Sequence, residues 1–397
     1  MDFATFIAPL PVENFRADYF GQRPLHIPAD PAHDGPRRAL LDWERLNHLL
    51  AQRPHWTPSN LKLVMNSRPV AAEHYAEEKP GADGPARRAD PAKVHQFLSM
   101  GASLVADALE EVDPVVGDAV GMLGRTFAAT SGANAYCSFQ GVSAFASHCD
   151  THDVFAVHLD GEKLWRVYAN RADAPVRTLT GDGAQEMIDR AKGPVMMEVR
   201  MKPGDLLYLP RGFYHDAIAV SGVSLHLTFA VHPMTGIAAL RMLLDRAEED
   251  PALRAYLPDA REHGGAALDA HLAMLAERLA ASLSSPLFRD DLTVRQRSLA
   301  SPAYRPDLPH RPALDFYASK GIAAEVVRRP EGAMLRHPGG EAPLGPLSEP
   351  AQWMLEQRAF SRQQLAARFV WLDAEEAGEL IRLFEQAGLI FSYKPDL

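Results

Sequence analysis

FASHCDTHDVFAVHLDGEKLWRVY runs from Phe145 to Tyr168, and KPGDLLYLPRGFYHDA runs from Lys202 to Ala217. Between about 133 and 231 short stretches alternate apolar and polar residues, broken by Gln-Gly, Asp-Gly, Pro-Gly-Asp, Arg-Gly and Ser-Gly. Many short strands at such spacing predict an all-β sandwich or barrel in this part of the chain. In an extended chain, side chains two residues apart share a face, so His148 and Asp150 project together. Asp160-Gly161 reads as a two-residue hairpin loop, which sets Leu159 opposite Glu162 and His158 opposite Lys163. Even positions before the loop then match odd positions after it. Lys163, Trp165 and Val167 join the face of His148 and Asp150. Ser221-Gly222 reads as a second hairpin loop, and the same counting puts Ser224, His226 and Thr228 on the face of His215.

If both faces turn inward, the interior holds two histidines, an aspartate, a lysine and small hydroxyls. Burying such a set is unfavourable unless it binds something. His-x-Asp with a distant His is the two-histidine, one-carboxylate set suited to non-haem Fe(II), with three positions left open. Lys163, fifteen residues after His148, adds a cation that can hold the far carboxylate of a 2-oxo dicarboxylic acid. His152 follows His148 by four, like a helical zinc pair, but no Glu follows His148 and the context is β-like. His158 and His226 read as supporting or packing residues. By strand parity Cys149 points away from the ligand face, and Cys137 away from the face of Tyr136.

Outward from this core the chain of 397 residues has room for two to three domains. Its net charge of −10 disfavours bulk binding to nucleic acid or anionic membrane. Two cysteines and no apolar run of about 18 residues point to a reducing cytoplasm with no membrane span. The opening MDFATFIAPLPVENF lacks the features of a secretory signal. The first 30 residues mix short helical and extended patterns. Residues 71–93 are rich in Pro, Gly and charge and read as a surface loop. Residues 93–123 read as helical, with Phe97, Val105, Leu109 and Val112 at helical spacing. Residues 236–299 are rich in Ala and Leu. Leu268, Leu272, Leu275, Leu279 and Leu283 mark one stripe that serves either an intra-chain core or a helical dimer surface. From 312 the pattern is a hairpin around 329–340, helix starts at Ser348, Ser361 and Asp373, a stop at Gly388 and a strand in LIFSY. Hairpin, three helices and strand resemble a winged helix.

Taken together, Asn134-Ala-Tyr136, His148-Cys-Asp150, Gly161-Glu-Lys163-Leu-Trp165, the Pro203–Gly212 stretch and His215 resemble the JmjC-type cupins, and among them the ribosomal oxygenase subgroup. The resemblance covers most of the chain and implies an α+β protein. Its parts are a double-stranded β-helix (cupin/JmjC) barrel with N-terminal helical elements over 1–235, a helical dimerisation region over 236–310 and a winged helix over 311–397. It implies an Fe(II)- and 2-oxoglutarate-dependent dioxygenase that uses O₂ to hydroxylate a protein side chain, on a ribosomal protein. His148, Asp150 and His215 match the iron ligands, and Lys163 the residue that pairs with the 2-oxoglutarate 5-carboxylate. Tyr136 matches a tyrosine beside the cosubstrate, and Asn134 and Thr228 are further nominees. Lys rather than Arg at 163 matches the histidine-hydroxylating relatives rather than the arginine-hydroxylating bacterial branch, so the target stays open between Arg and His. A homodimer in the cytoplasm follows from the same resemblance.

Three other readings compete. One is a non-redox, Mn- or Zn-dependent cupin isomerase or hydrolase on the same ligands; Lys163 argues against it. The second is a DNA-binding regulator. Against it, 311–397 carries ten basic and twelve acidic residues, and 373–387 carries five acids and one Arg, a charge that phosphate would repel. The third keeps the oxygenase but gives it a small peptide or another protein as substrate.

Overall fold

The computed structural model describes residues 1–52, 55–65, 68–80, 84–139, 146–300 and 315–393. They divide after Pro233 into two compact units. The first is built on one nine-stranded sheet in which every pairing is antiparallel. Its order is Leu25–Ile27, Leu206–Leu209, Asp153–Arg171, Phe213–Pro233, Ala129–Phe139, Ser103–Ala106, Leu61–Met65 and Arg68–Pro69. Val195–Met201 pairs with Asp153–Arg171 off this path.

Neither expected hairpin forms. Asp153–Arg171 runs straight through Asp160-Gly161, and Phe213–Pro233 runs straight through Ser221-Gly222. The two long strands pair with each other instead, His215 with Val167 and Thr228 with Ala156. The change of parity is nevertheless real. It comes from a bulge: the register jumps from Ala219↔Lys163 to Ser224↔Gly161, and Gly161 has φ +66°. A glycine in the left-handed region and unequal residue counts on paired strands switch faces as a hairpin would. The same bulge lets each half of Asp153–Arg171 take a different outer neighbour, Leu206–Leu209 first and Val195–Met201 second.

The sheet also departs from the expected closed barrel. Among the described residues the pairing is an open path. Within the described residues, the segment around His148 joins it through a single bridge to His215 rather than a ladder.

Other expectations shift as well. Residues 93–123 are not one helix. Pro91–Ser99 and Pro114–Phe127 are helical, but Ser103–Ala106 between them is a strand, following Gly101 at φ +91°. Residues 71–93 contain a small antiparallel pair, Ala76–Lys79 with Ala86–Ala89. Pro114–Phe127 starts as sequence rules require. Asp113 accepts from the backbone N–H groups of Val115 and Val116, each at 2.9 Å, and Pro114 sits where no N–H is needed. Val116, Val120, Leu123 and Phe127 give it a buried face. Phe3, Phe15, Phe127 and Phe155 cluster there, with Phe3–Phe127 edge-on at 5.1 Å between centroids.

The Pro203-Gly-Asp205 turn is a structural fastener. Asp205 accepts from His26 Nε2 at 3.0 Å and from the backbone N–H groups of Ala29 and Lys202. A Cβ on Gly204 would lie 2.6 Å from Asp34 Oδ2. Asp153 likewise accepts from Tyr208 Oη at 2.7 Å and from the backbone N–H of Arg211 at 2.8 Å.

The second unit carries the helices Gly236–Ala247, Ala266–Leu283 and Pro286–Leu299, two three-stranded sheets, and the helices Ser348–Glu356, Arg362–Arg368 and Ala374–Gln386. Leu335, Ala351, Met354, Phe360, Leu365, Leu380, Ile381 and Phe384 form its core. Ser361 and Asp373 both cap helices through complete capping boxes. Gly388 has φ +73°, just past the last helix, and Ile390–Tyr393 is a strand. The Leu268–Leu283 stripe is not part of this core. No residue of Ala266–Leu283 is buried, and Leu272 and Leu283 are each 48% exposed. Among the described residues no helix is long and apolar enough to cross a membrane.

Candidate metal and dicarboxylate site

The bulges bring one polar face of both long strands together over a cavity of about 460 Å³. Asn134, Tyr136, His148, Asp150, Lys163, His215 and Thr228 all line it. Asn134 and Tyr136 come from Ala129–Phe139, which pairs Asn134 with Thr228 and Tyr136 with His226. Every residue nominated from the sequence is thus on one cavity wall. His152, Trp165, His226 and His232 share the lining.

At one end stand His148, Asp150 and His215. One donor atom from each lies within 4.8 Å of the other two, a spacing a single metal ion can bridge. His215 Nε2 is 3.6 Å from Asp150 Oδ2. Both histidines are held in the tautomer a metal needs. His148 Nδ1 lies 2.9 Å from the Ala146 carbonyl, and His215 Nδ1 lies 3.0 Å from the Phe213 carbonyl. A carbonyl oxygen only accepts, so each Nδ1 carries a proton, and Nε2 is the ring nitrogen left to face a metal. Burial pushes His215 down to about 4, so it is neutral near pH 7. Burial acts to raise the Asp150 pKa, but His215, His148, His152 and His232 outweigh it and hold the carboxyl below its usual range. Two imidazoles and a carboxylate are a donor set that fits a divalent first-row metal.

The other end is cationic and dry. Lys163 is 3% exposed, and its Nζ donates to Ser138 Oγ at 3.4 Å. Among the described residues no carboxylate lies within ion-pair distance of it. Burial lowers its pKa to about 8, which is the mark of a buried ammonium without a counter-ion. Tyr136 stacks on His226 at 4.9 Å between centroids and 10° between planes. Burial raises Tyr136 to about 12, so it stays a neutral hydroxyl. Trp165 Nε1, His152 Nδ1 and His226 Nδ1 are buried without a hydrogen-bond partner among the described residues. Such orphans are expected around a cavity shaped for a polar ligand.

Strand parity and, for Tyr136 and Asn134, the family resemblance found the nominated residues but not all of the wall. His232 follows from the same counting as Thr228, two positions twice over, and was missed. His152 and His232 stack at 4.2 Å between centroids. The cysteines behave as parity required. Cys137 is in the core, and Cys149 packs with Tyr168, Ile188 and Tyr214 on the far side. Burial raises both thiols, so neither is poised as a nucleophile.

Residues 121–238, which hold His148, Asp150, Lys163 and His215, match the JmjC domain family. They form a JmjC domain. The chain carrying this JmjC domain is 30% identical over 234 residues to the bifunctional lysine-specific demethylase and histidyl-hydroxylase NO66 of Aedes aegypti, covering 58% of this chain and 34% of that one. It is 32% identical over 203 residues to ribosomal oxygenase 1 of Rattus norvegicus, covering 48% of this chain and 34% of that one. The chain thus spans about a third of the length of these curated relatives. Among solved structures it resembles YcfD, a ribosomal oxygenase from Escherichia coli, in complex with cobalt and 2-oxoglutarate. The TM-score is 0.50 at 15% identity, over 97% of this chain and 98% of that one. The complex of the same protein with cobalt and succinic acid gives 0.51. That likeness is one of fold, and it extends beyond the JmjC domain.

Proposed function

We propose that the cavity is the active site of an Fe(II)- and 2-oxoglutarate-dependent oxygenase that hydroxylates a protein side chain, an Arg or His of a ribosomal protein. The observation that carries this reading is the pairing, in one cavity, of three converging metal donors with a buried lysine that has no counter-ion among the described residues. The reading is supported by relatives named as oxygenases and by a fold neighbour solved with cobalt and 2-oxoglutarate.

His148, Asp150 and His215 would hold the iron, and Lys163 the far carboxylate of 2-oxoglutarate. Bound iron supplies the redox chemistry with O₂ that side chains alone lack. The residues of this chain do the rest. Lys163 brings a full charge into a dry pocket, where it acts strongly on a dicarboxylate. Tyr136, Asn134 and Thr228 offer neutral polar groups along the same wall to orient the cosubstrate. Trp165 and the apolar side chains of Val154, Ala217 and Ala230 limit water in the pocket.

The helical segment 236–310, with its exposed leucines, is proposed as a homodimer surface, and 311–397 as a winged helix that serves protein contact. A cytoplasmic location follows from the proposed ribosomal substrate. The acidic last helix disfavours DNA, and a salt-sensitive gel shift with DNA would overturn that view.

The test of the activity is release of CO₂ from 2-oxoglutarate with added Fe(II), followed by incubation with ribosomes and mass spectrometry. The expected result is CO₂ release that depends on iron, and a +16 Da shift on one ribosomal peptide. No CO₂ release from metal-loaded protein would overturn the oxygenase. A shift only on non-ribosomal material would overturn the substrate.

A further inference from the structure

His148 and His215 are directly opposed across an antiparallel bridge and exchange both backbone hydrogen bonds, at 3.0 and 2.8 Å. Gly212 N–H adds one more bond to the Asp150 carbonyl at 2.9 Å. Among the described residues, the segment carrying two of the three donors therefore hangs on very little backbone pairing. Directly opposed residues share a face, and their neighbours share the opposite face. Behind the donors, then, Ser147 stands across from Asp216. These two are bonded: Ser147 Oγ donates to Asp216 Oδ2 at 2.7 Å. Tyr168 Oη, from the adjacent strand, donates to the same oxygen at 2.5 Å. Lys192 Nζ donates to Ser147 Oγ at 2.9 Å and lies 4.6 Å from the Tyr168 ring centroid.

We propose that Asp216 is a positioning residue: with Ser147 and Tyr168 it clamps the back of the two donor segments and fixes the spacing of the His148 and His215 imidazoles. Asp216 touches no cavity-lining donor. It acts through the backbone of its neighbour His215 and, through Ser147, on His148. Where a single bridge replaces a ladder, a side-chain bond one residue along does what the next ladder rung would do. Because both donors converge on one oxygen, a carboxamide oxygen can replace it.

The inference rests on the metal-site reading above, and the experiment separates the two. Metal-free full-length protein is titrated with Co(II) and followed by visible absorption, with thermal melting of the same metal-free samples. Outer-shell partners typically change metal affinity about 10–100-fold. Asp216→Ala is expected to weaken Co(II) binding by about that range and to alter the cobalt spectrum. Asp216→Asn should stay within about threefold of the wild-type protein, and Ser147→Ala should fall between the two. Wild-type affinity and spectrum in folded Asp216→Ala would overturn the clamp, as would an Asn variant as weak as the Ala variant. Should Asp216→Ala fail to fold, unchanged affinity in folded Ser147→Ala overturns it. Wild-type protein that binds no Co(II), or His148→Ala that binds it equally well, removes the metal site itself and the clamp with it.

Discussion

In the helix Ala374–Gln386 the polar groups at the N-terminal end find partners three residues away, whereas in the JmjC domain Lys163 of the cavity finds its partner across strands and several cavity nitrogens have none among the described residues. Asp373 accepts from the Glu376 N–H at 2.8 Å, and the Glu376 carboxylate reaches back to the Asp373 N–H. Glu376 also pairs with Arg297. In the cavity, among the described residues, Lys163 has one neutral hydroxyl, and Trp165, His152 and His226 keep unpartnered nitrogens. A chain that satisfies its caps this closely in one unit does not leave a dry ammonium in the other by default. Local consistency marks structure, and a local violation marks a site.

The sharpest way to break the contrast is at the metal donors. His148→Ala or Asp150→Ala should remove 2-oxoglutarate turnover and lower metal affinity by about 100-fold or more, beyond the range typical of outer-shell losses. Turnover with iron content retained would mean that the triad is an ordinary polar cluster. Next is the cation. Lys163→Ala should raise the 2-oxoglutarate requirement by roughly 30-fold or more, about 2 kcal/mol, with smaller change in metal affinity. An unchanged requirement in steady-state assays would contradict its role.

The Lys163 pKa gives a finer test. Burial lowers it to about 8, and the protonated form binds the dicarboxylate. Affinity should be flat below about pH 8 and fall, approaching tenfold per pH unit, above it. Calorimetric titration across that range checks this, and a fall on the acid side instead would point to another group. The smallest effect belongs to the other side of the contrast. Asp373→Ala should cost about 1 kcal/mol of stability in the second unit, by loss of an N-cap. Denaturant unfolding measures it, and the 2-oxoglutarate requirement should not move.

The candidate site was largely legible in the sequence, and for a physical reason. Strand parity is a strict period of two, so once His148 and Asp150 share a face, the faces of Lys163, His226 and Thr228 depend only on where parity switches. The switch was located correctly at Asp160-Gly161 and near Ser221-Gly222. Its nature was not. A Gly at positive φ serves a hairpin loop and a bulge alike, and only pairing over many residues distinguishes them. The helix over 93–123 failed for a related reason: Val105 fits helical spacing, yet its neighbours in the sheet claimed it for a strand.

By itself, then, the sequence determined what short-range rules reach: which residues share a face, where the capping boxes of the second unit lie, and which residues form a two-histidine, one-carboxylate set with a cation. Tertiary structure decided what depends on distant partners. It made two bent strands out of four expected short ones and left the pairing path open. It kept the leucines of Ala266–Leu283 out of the core. It also set Ser147 and Asp216 back to back behind the donors, because residues 69 apart in the chain meet only once the long strands have paired.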